Sequence, residues 1–175
     1  MNKIKKDKIG ILGGSFDPPH IGHLLISKLA KKKFKMSKII WLITKKNPLK
    51  KKTYFSLLDR KKRCAQLLKN ERFISAKFIE DKVKSNKLIN SLRYMTNKKK
   101  MYYFIMGSDS LKTFHKWKSY KSILQLVKII VIKRNKNLGH LKKKYRDQIV
   151  SNNIMFLNNK VINFSSSQIK RNYLR

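Results

Sequence analysis

The sequence predicts an α/β fold on a mainly parallel sheet, and three observations predict it. Short, continuous apolar runs recur at 8–12, 38–43, 101–106 and 127–132, the pattern of strands covered by helices on both faces. Between them lie segments with helical periodicity and short polar connections. Two of the runs end in a glycine-bearing turn that opens a helix, Gly13-Gly14-Ser15 and Gly107-Ser108-Asp109, which is where an α/β protein places phosphates. No Pro/Gly/Ser-rich linker and no internal repeat interrupts the pattern, so residues 1–175 are expected to form a single domain.

The first strand runs into Gly13-Gly14-Ser15-Phe16-Asp17-Pro18-Pro19-His20-Ile21-Gly22-His23. Gly13 and Gly14 are expected to permit positive φ and to leave no Cβ between main chain and ligand, while the following helix points its N–H groups at an anion. His20 and His23 are three apart at the helix start and so share a face, with Gly22 keeping the surface between them open. Two imidazoles facing one ligand can supply hydrogen bonds and charge near neutral pH, which suits a transition state that gathers negative charge on phosphate oxygens. Taken for its glycines alone, the turn also reads as ordinary connecting structure. The whole stretch Gly14-Ser15-Phe16-Asp17-Pro18-Pro19-His20-Ile21-Gly22-His23 resembles the signature of the HxGH nucleotidyltransferases, G-[ST]-F-D-P-x-H-x-G-H, at every informative position. The resemblance implies a Rossmann-like, doubly wound fold and transfer of a nucleotidyl group from ATP or CTP to a phosphate or related acceptor, with release of pyrophosphate. It makes His20 and His23 catalytic and the backbone of Gly13, Gly14, Ser15 and Phe16 the phosphate cradle.

Helix 21–34 offers Leu24, Leu25, Leu29 and Phe34 to the sheet, with lysines outside. Strand 38–43 follows as a fully buried run, and loop 44–50 leaves its carboxyl end, the edge at which open α/β sheets bind ligands. Asn47-Pro48-Leu49-Lys50 resembles the segment after the second strand of nicotinate-nucleotide adenylyltransferases, which implies acceptor contacts for Asn47 and Lys50; a proline-bearing, lysine-solvated turn is the plainer reading. Helix 56–68 begins at Ser56 as N-cap, with Asp59 complementing the dipole. A third strand falls within 72–79. Before helix 87–96 that family carries a Tyr-Thr pair and Asp-Thr-Leu, where this chain has Asn86-Lys87-Leu88-Ile89-Asn90-Ser91-Leu92. The usual pyridine-ring contacts are therefore not carried over.

Strand 101–106 ends in Gly107, on the same sheet edge as Gly14 if the strands are parallel. Asp109 can accept from two ribose hydroxyls or can cap the helix; its chemistry fits both. The segment 107–124 closely resembles G-x-D-x-L-x-x-F-x-x-W-x-x-x-x-x-I-L of the nicotinate-nucleotide adenylyltransferases, which implies a pyridine mononucleotide acceptor. Trp117 offers a flat indole for a pyridine ring, or else anchors a loop in the core. Strand 127–132, a lysine-faced helix 138–148 and a short strand 154–157 complete the alternation; Lys133-Arg134 lacks the Pro-Gly that follows the family's arginine.

Near the end, Ser165-Ser166-Ser167-Gln168-Ile169-Lys170-Arg171 offers hydroxyls, helix N–H groups and countercharges to an anion. On its own it is a serine-rich cap. It resembles I-S-S-T-x-I-R of the same family, which implies that Ser165, Ser166, Ser167, Lys170 and Arg171 hold the ATP β- and γ-phosphates. Lys170 stands where the arginine is usual, a point charge in place of a fork, with Arg171 adjacent. The chain stops at Arg175, short of the extra helix some members carry, so a trimmed domain end is expected.

The 45 Lys and Arg against 8 Asp and Glu give a net charge of +37. The lysines are spread through nearly every segment alongside abundant Asn and Ile, without a basic module interleaved with aromatics, so a general attraction for anionic nucleotides is expected and specific nucleic-acid binding is not. No window reaches the roughly 18 apolar residues of a membrane span, and Cys64 alone can form neither an internal disulfide nor a cysteine metal site. A cytoplasmic protein is expected, with Cys64 packed in the core. The resemblance implies AMP transfer from ATP to nicotinate mononucleotide, with Mg²⁺ expected to arrive on ATP and no metal site of the chain's own. Nicotinamide mononucleotide or another phosphate acceptor, and a non-catalytic basic RNA-binding protein, are the alternatives. Oligomeric state is not legible.

Overall fold

The computed structural model describes residues 6–46, 53–133 and 138–157. Its strands are β1 (Lys8–Gly14), β2 (Lys38–Ile43), β3 (Ile74–Phe78), β4 (Met101–Gly107), β5 (Lys128–Ile132) and β6 (Ile154–Leu157). The helices are α1 (Ile21–Phe34), α2 (Leu57–Leu67), α3 (Leu88–Met95), α4 (Ser108–Thr113), α5 (Tyr120–Leu126), α6 (Gly139–Lys144) and α7 (Arg146–Val150), with one 3-10 turn at Phe114–Lys116.

Every strand pairing is parallel and the order is β3-β2-β1-β4-β5-β6, the doubly wound arrangement in which the chain reverses its direction of travel between β1 and β4. Alternate side chains along each strand enter two separate cores. Ile11, Leu42, Phe104 and Val131 pack with Leu92 of α3, Leu111 of α4 and Ile123 of α5, whereas Trp41, Ile43 and Ile105 pack with Ala30 of α1 and Cys64 of α2. This two-sided burial is why the strands read as unbroken apolar runs. Leu12 pairs with Ile105, so Gly14 and Gly107, each two residues further on, leave the sheet side by side at its carboxyl edge. That edge, at the switch point, is where an open α/β sheet leaves a crevice.

Three expectations are corrected. On α1 Leu24 is buried, but Leu25 and Leu29 are 37% and 40% exposed. The face that meets the sheet is Leu24, Ile26, Ser27 and Ala30. The helix expected over 138–148 is two short helices broken at Tyr145, whose buried side chain turns in to donate from its hydroxyl to the Leu111 carbonyl at 3.0 Å. Gly13 and Gly14 do not have positive φ. They are ordinary strand residues paired with Leu42 and Ile43, and the left-handed residue of the turn is Phe16, at φ 47°. Glycine is needed at position 13 for room, because a Cβ there would lie 2.4 Å from Cζ of Phe104.

Candidate active site

The turn between β1 and α1 is built by packing as much as by hydrogen bonding. The Phe16 ring is buried and stacks on Trp41 at 4.9 Å between ring centres, with His23 4.8 Å away on its other contact. Trp41 Nε1 donates to Ser27 Oγ at 2.8 Å, and Ser27 Oγ donates on to the His23 carbonyl at 2.8 Å. The start of α1 is thereby braced from inside the core. Phe16 cannot present its ring to a phosphate; what it brings to the site is main chain.

His20 is the N-cap of α1, with φ −151°, and His23 lies one turn in. Their rings stand 3.8 Å apart, centre to centre, so the pair does share a face. The His20 N–H donates to His23 Nδ1 at 3.2 Å. A nitrogen that accepts carries no proton, so the bond selects the His23 tautomer that donates from Nε2. His20 is buried and His23 half-buried.

Asp17, wholly buried, accepts from the main-chain N–H groups of Tyr54 and Phe55, both at 2.8 Å. It fastens the segment before α2 to the signature turn, a role across 37 residues that sequence reading misses. The Arg63 guanidinium lies 4.3 Å over the Phe55 ring and secures the same segment.

Beside the turn a cleft of about 440 Å³ opens at the carboxyl edge of the sheet. Gly13 and Gly14 of β1, Thr44, Asn86, Lys87, Ser110 and Trp117 line it, over a floor of Leu42, Phe104 and Met106. Trp117 is half-buried: its ring meets Phe104 and Phe114 edge-on, with centres 6.4 and 5.4 Å away. This tryptophan is anchored in the core on one side and borders the cleft on the other. Asn86 and Lys87, at the place where the familiar pyridine contacts are missing, are exposed and line the same cleft. Gly107 is the N-cap of α4, and Asp109 is exposed in its first turn, where its charge complements the helix end. Asn47, Lys50, Ser165, Ser166, Ser167, Lys170 and Arg171 lie outside the described residues.

A residue unnoticed in the sequence links the parts. Arg60 on α2 is 1% exposed; its Nη1 donates to the carbonyls of Ser15 at 2.6 Å and Thr44 at 2.8 Å, and its Nη2 to that of Lys45 at 2.9 Å. Burial lowers its pKa, opposed by the negative potentials of Asp17, Cys64 and Glu80. Glu80 in turn accepts from the Thr44 hydroxyl and, at 3.2 Å, from the Lys45 N–H. Position i−4 from Cys64 and i+3 from Leu57 was the available signal: Arg60 sits on the apolar stripe of α2.

Among the described residues no group of three or more His, Cys, Asp or Glu is gathered to hold a metal ion. Nor is any helix there long and apolar enough to cross a membrane. A smaller cavity of about 250 Å³ between α2 and the edge strand β3 is lined by none of the predicted site residues.

Strand order, crossover point and a glycine turn capped by paired histidines define a nucleotide-binding fold of the doubly wound class. The cytidylyltransferase-like family model matches residues 11–172, and the chain belongs to that family, among its nicotinate-nucleotide adenylyltransferases. A protein of Pelagibacter ubique named "Probable nicotinate-nucleotide adenylyltransferase" is 44% identical over 169 residues, spanning 95% of this chain and 94% of that one. One of the same name in Aquifex aeolicus is 33% identical over 165 residues, spanning 90% and 98%. In fold, the chain is similar to the Plasmodium falciparum nicotinic acid mononucleotide adenylyltransferase solved with NaAD, at a TM-score of 0.72 and 21% identity over 94% of this chain and 83% of that one.

Proposed function

We propose that the chain transfers AMP from ATP to nicotinate mononucleotide, forming nicotinate adenine dinucleotide and pyrophosphate in NAD biosynthesis. The observation that carries this reading is the meeting, on one cleft, of the signature glycines Gly13 and Gly14 with Trp117, set beside the paired histidines of the same turn. The family supports the chemistry, and the names of the relatives support the acceptor.

In the reaction a phosphate oxygen of the mononucleotide attacks the α-phosphorus of ATP in line. The new P–O bond forms as the bond to the β-phosphate oxygen breaks, and that bond's electrons leave with pyrophosphate. The chain needs no covalent intermediate, so its contribution is positioning and electrostatics. His23 donates from Nε2, and His20 beside it meets the same developing charge. The main chain from Gly13 to Phe16 borders the phosphates, and Asp109 takes the ribose. Trp117 stacks on the pyridine ring, while Asn86 and Lys87 border the acceptor's end of the cleft. Asn47 and Lys50 complete the acceptor contacts, and Ser165, Ser166, Ser167, Lys170 and Arg171 orient the leaving pyrophosphate. Members of this family work with a divalent cation, and here Mg²⁺ enters as part of the ATP substrate, where it neutralises phosphate charge. Residues 1–175 act as one nucleotidyltransferase domain in the cytoplasm, without a specific nucleic-acid or membrane partner.

The test is pyrophosphate release from MgATP with nicotinate mononucleotide, nicotinamide mononucleotide, phosphopantetheine or no acceptor. Release that depends on nicotinate mononucleotide is expected. Equal release with nicotinamide mononucleotide overturns the choice of acceptor, and no acceptor-dependent release overturns the enzyme.

A further inference from the structure

The nucleotide turn and the loop after β2 come from different βα units, and the last ladder bond between them is Thr44 N–H to the Gly14 carbonyl, at 3.0 Å. Beyond it the two main chains diverge, one into Ser15 and Phe16, the other along Thr44 and Lys45. The cleft lies against both, since Gly14 and Thr44 line it together. At that divergence the only buried guanidinium among the described residues stands between them. Its Nη1 and Nη2 donate to three main-chain carbonyls, one from the turn and two from the loop, while its Nε makes no hydrogen bond among the described residues.

We propose that Arg60 is a positioning residue, a clasp whose planar fork sets the distance between the phosphate turn at Ser15 and the acceptor-side loop at Thr44-Lys45. Three features point to this role. The guanidinium carries its donors in a fixed fork, so three bonds to carbonyls of two segments fix their separation as well as their contact. Lysine, whose three donors share one nitrogen on a flexible stem, does not reproduce the planar two-nitrogen fork that reaches Ser15, Thr44 and Lys45. Glu80 and Asp17 hold the neighbouring main chain by its N–H groups: Glu80 takes that of Lys45 and Asp17 those of Tyr54 and Phe55, which leaves the carbonyl side of the loop to Arg60. A displacement of about 1 Å between reacting groups can cost on the order of a hundredfold in rate, so a spacing device of this kind is felt in turnover.

The experiment compares wild type with Arg60→Lys and Arg60→Ala. Hydrogen exchange, read without substrate, is expected to rise at least about tenfold at the amides of 13–16 and 44–46 in Arg60→Lys while β4 and β5 keep their protection. In the pyrophosphate-release assay, kcat is expected to fall about ten- to a hundredfold with KM for ATP changed less than about threefold. Guanidinium chloride at millimolar concentration, against sodium chloride of equal ionic strength, is expected to restore part of the turnover of Arg60→Ala. If Arg60→Ala does not fold, Arg60→Lys carries the test. Unchanged local exchange overturns the clasp, as does a lowered Tm with wild-type turnover per folded molecule. The kinetic arm rests on the adenylyl-transfer reading, which fails separately if wild type shows no acceptor-dependent release; the exchange arm then decides alone.

Discussion

Replacing Gly13 with alanine tests why a strand of the sheet carries glycine, which ordinarily weakens one. A Cβ at this position would stand 2.4 Å from Cζ and 2.8 Å from Cε2 of Phe104, whereas carbon atoms in contact settle at about 3.5–4.0 Å. The overlap is thus about 1 Å, and Phe104 has nowhere simple to go: it is 3% exposed, it belongs to the core under α3 to α5, and its ring meets Trp117 edge-on. Overpacking of this kind costs about 1–3 kcal/mol. With roughly 2 kcal/mol lost and a shift of about 2–4 °C per kcal/mol for a chain of this size, Tm is expected to fall by about 4–8 °C. Because Phe104 also floors the cleft and supports Trp117, KM for the acceptor is expected to rise in the same variant. Thermal unfolding of Gly13→Ala, Phe104→Leu and the double variant separates the contact from its surroundings. The double variant is expected to lose at least about 1 kcal/mol less than the sum of the singles. A Tm of Gly13→Ala within about 1 °C of wild type, or strictly additive losses, would refute the close approach of β1 to Phe104.

Other consequences follow from buried groups. Burial pushes the Cys64 thiol up to about 12. Above the unfolded thiol's pKa of about 8.5 the unfolded chain gives up this proton while the folded chain keeps it, so stability falls as pH rises, by about 1.4 kcal/mol per unit. Urea unfolding from about pH 9 to pH 11 should therefore show a shallower decline in Cys64→Ala than in wild type; parallel declines would contradict the burial. Tyr145→Phe removes the bond to the Leu111 carbonyl and the acceptor of the His115 N–H and is expected to cost about 1–2 kcal/mol in thermal unfolding, with no loss if the hydroxyl is idle. Trp117→Ala is expected to raise KM for nicotinate mononucleotide by roughly tenfold, in line with the loss of one stacking contact of 1–2 kcal/mol, while KM for ATP stays within about twofold. Equal effects on both substrates would remove the indole from the acceptor's side.

Much of this architecture is legible in the residues because two-sided burial leaves a plain mark. Ile39 to Ile43 and Tyr102 to Met106 are apolar without interruption since neighbouring side chains enter opposite cores. The α1 face was harder to read, because Ile21, Leu25 and Leu29 form a second apolar row at helical spacing that stays at the surface. In the site, the signature marks the turn but not how it is held. Phe16, Asp17 and Arg60 do their work through main-chain and ring contacts with segments 15 to 45 residues away, which no local pattern records. Arg60 in particular is hidden among 45 basic residues, and only its place on the stripe of Leu57 and Cys64 distinguishes it.

The most direct test of adenylyl transfer is to follow the α-phosphate itself. With ATP labelled at the α-phosphorus, nicotinate mononucleotide and Mg²⁺, label is expected to appear in a dinucleotide in step with pyrophosphate release. Turnover should fall by about 10²–10³ in His20→Ala, since a donor to the transition-state charge is removed. Label that stays in ATP or appears only as free AMP, or a His20→Ala variant with wild-type turnover, would contradict the account.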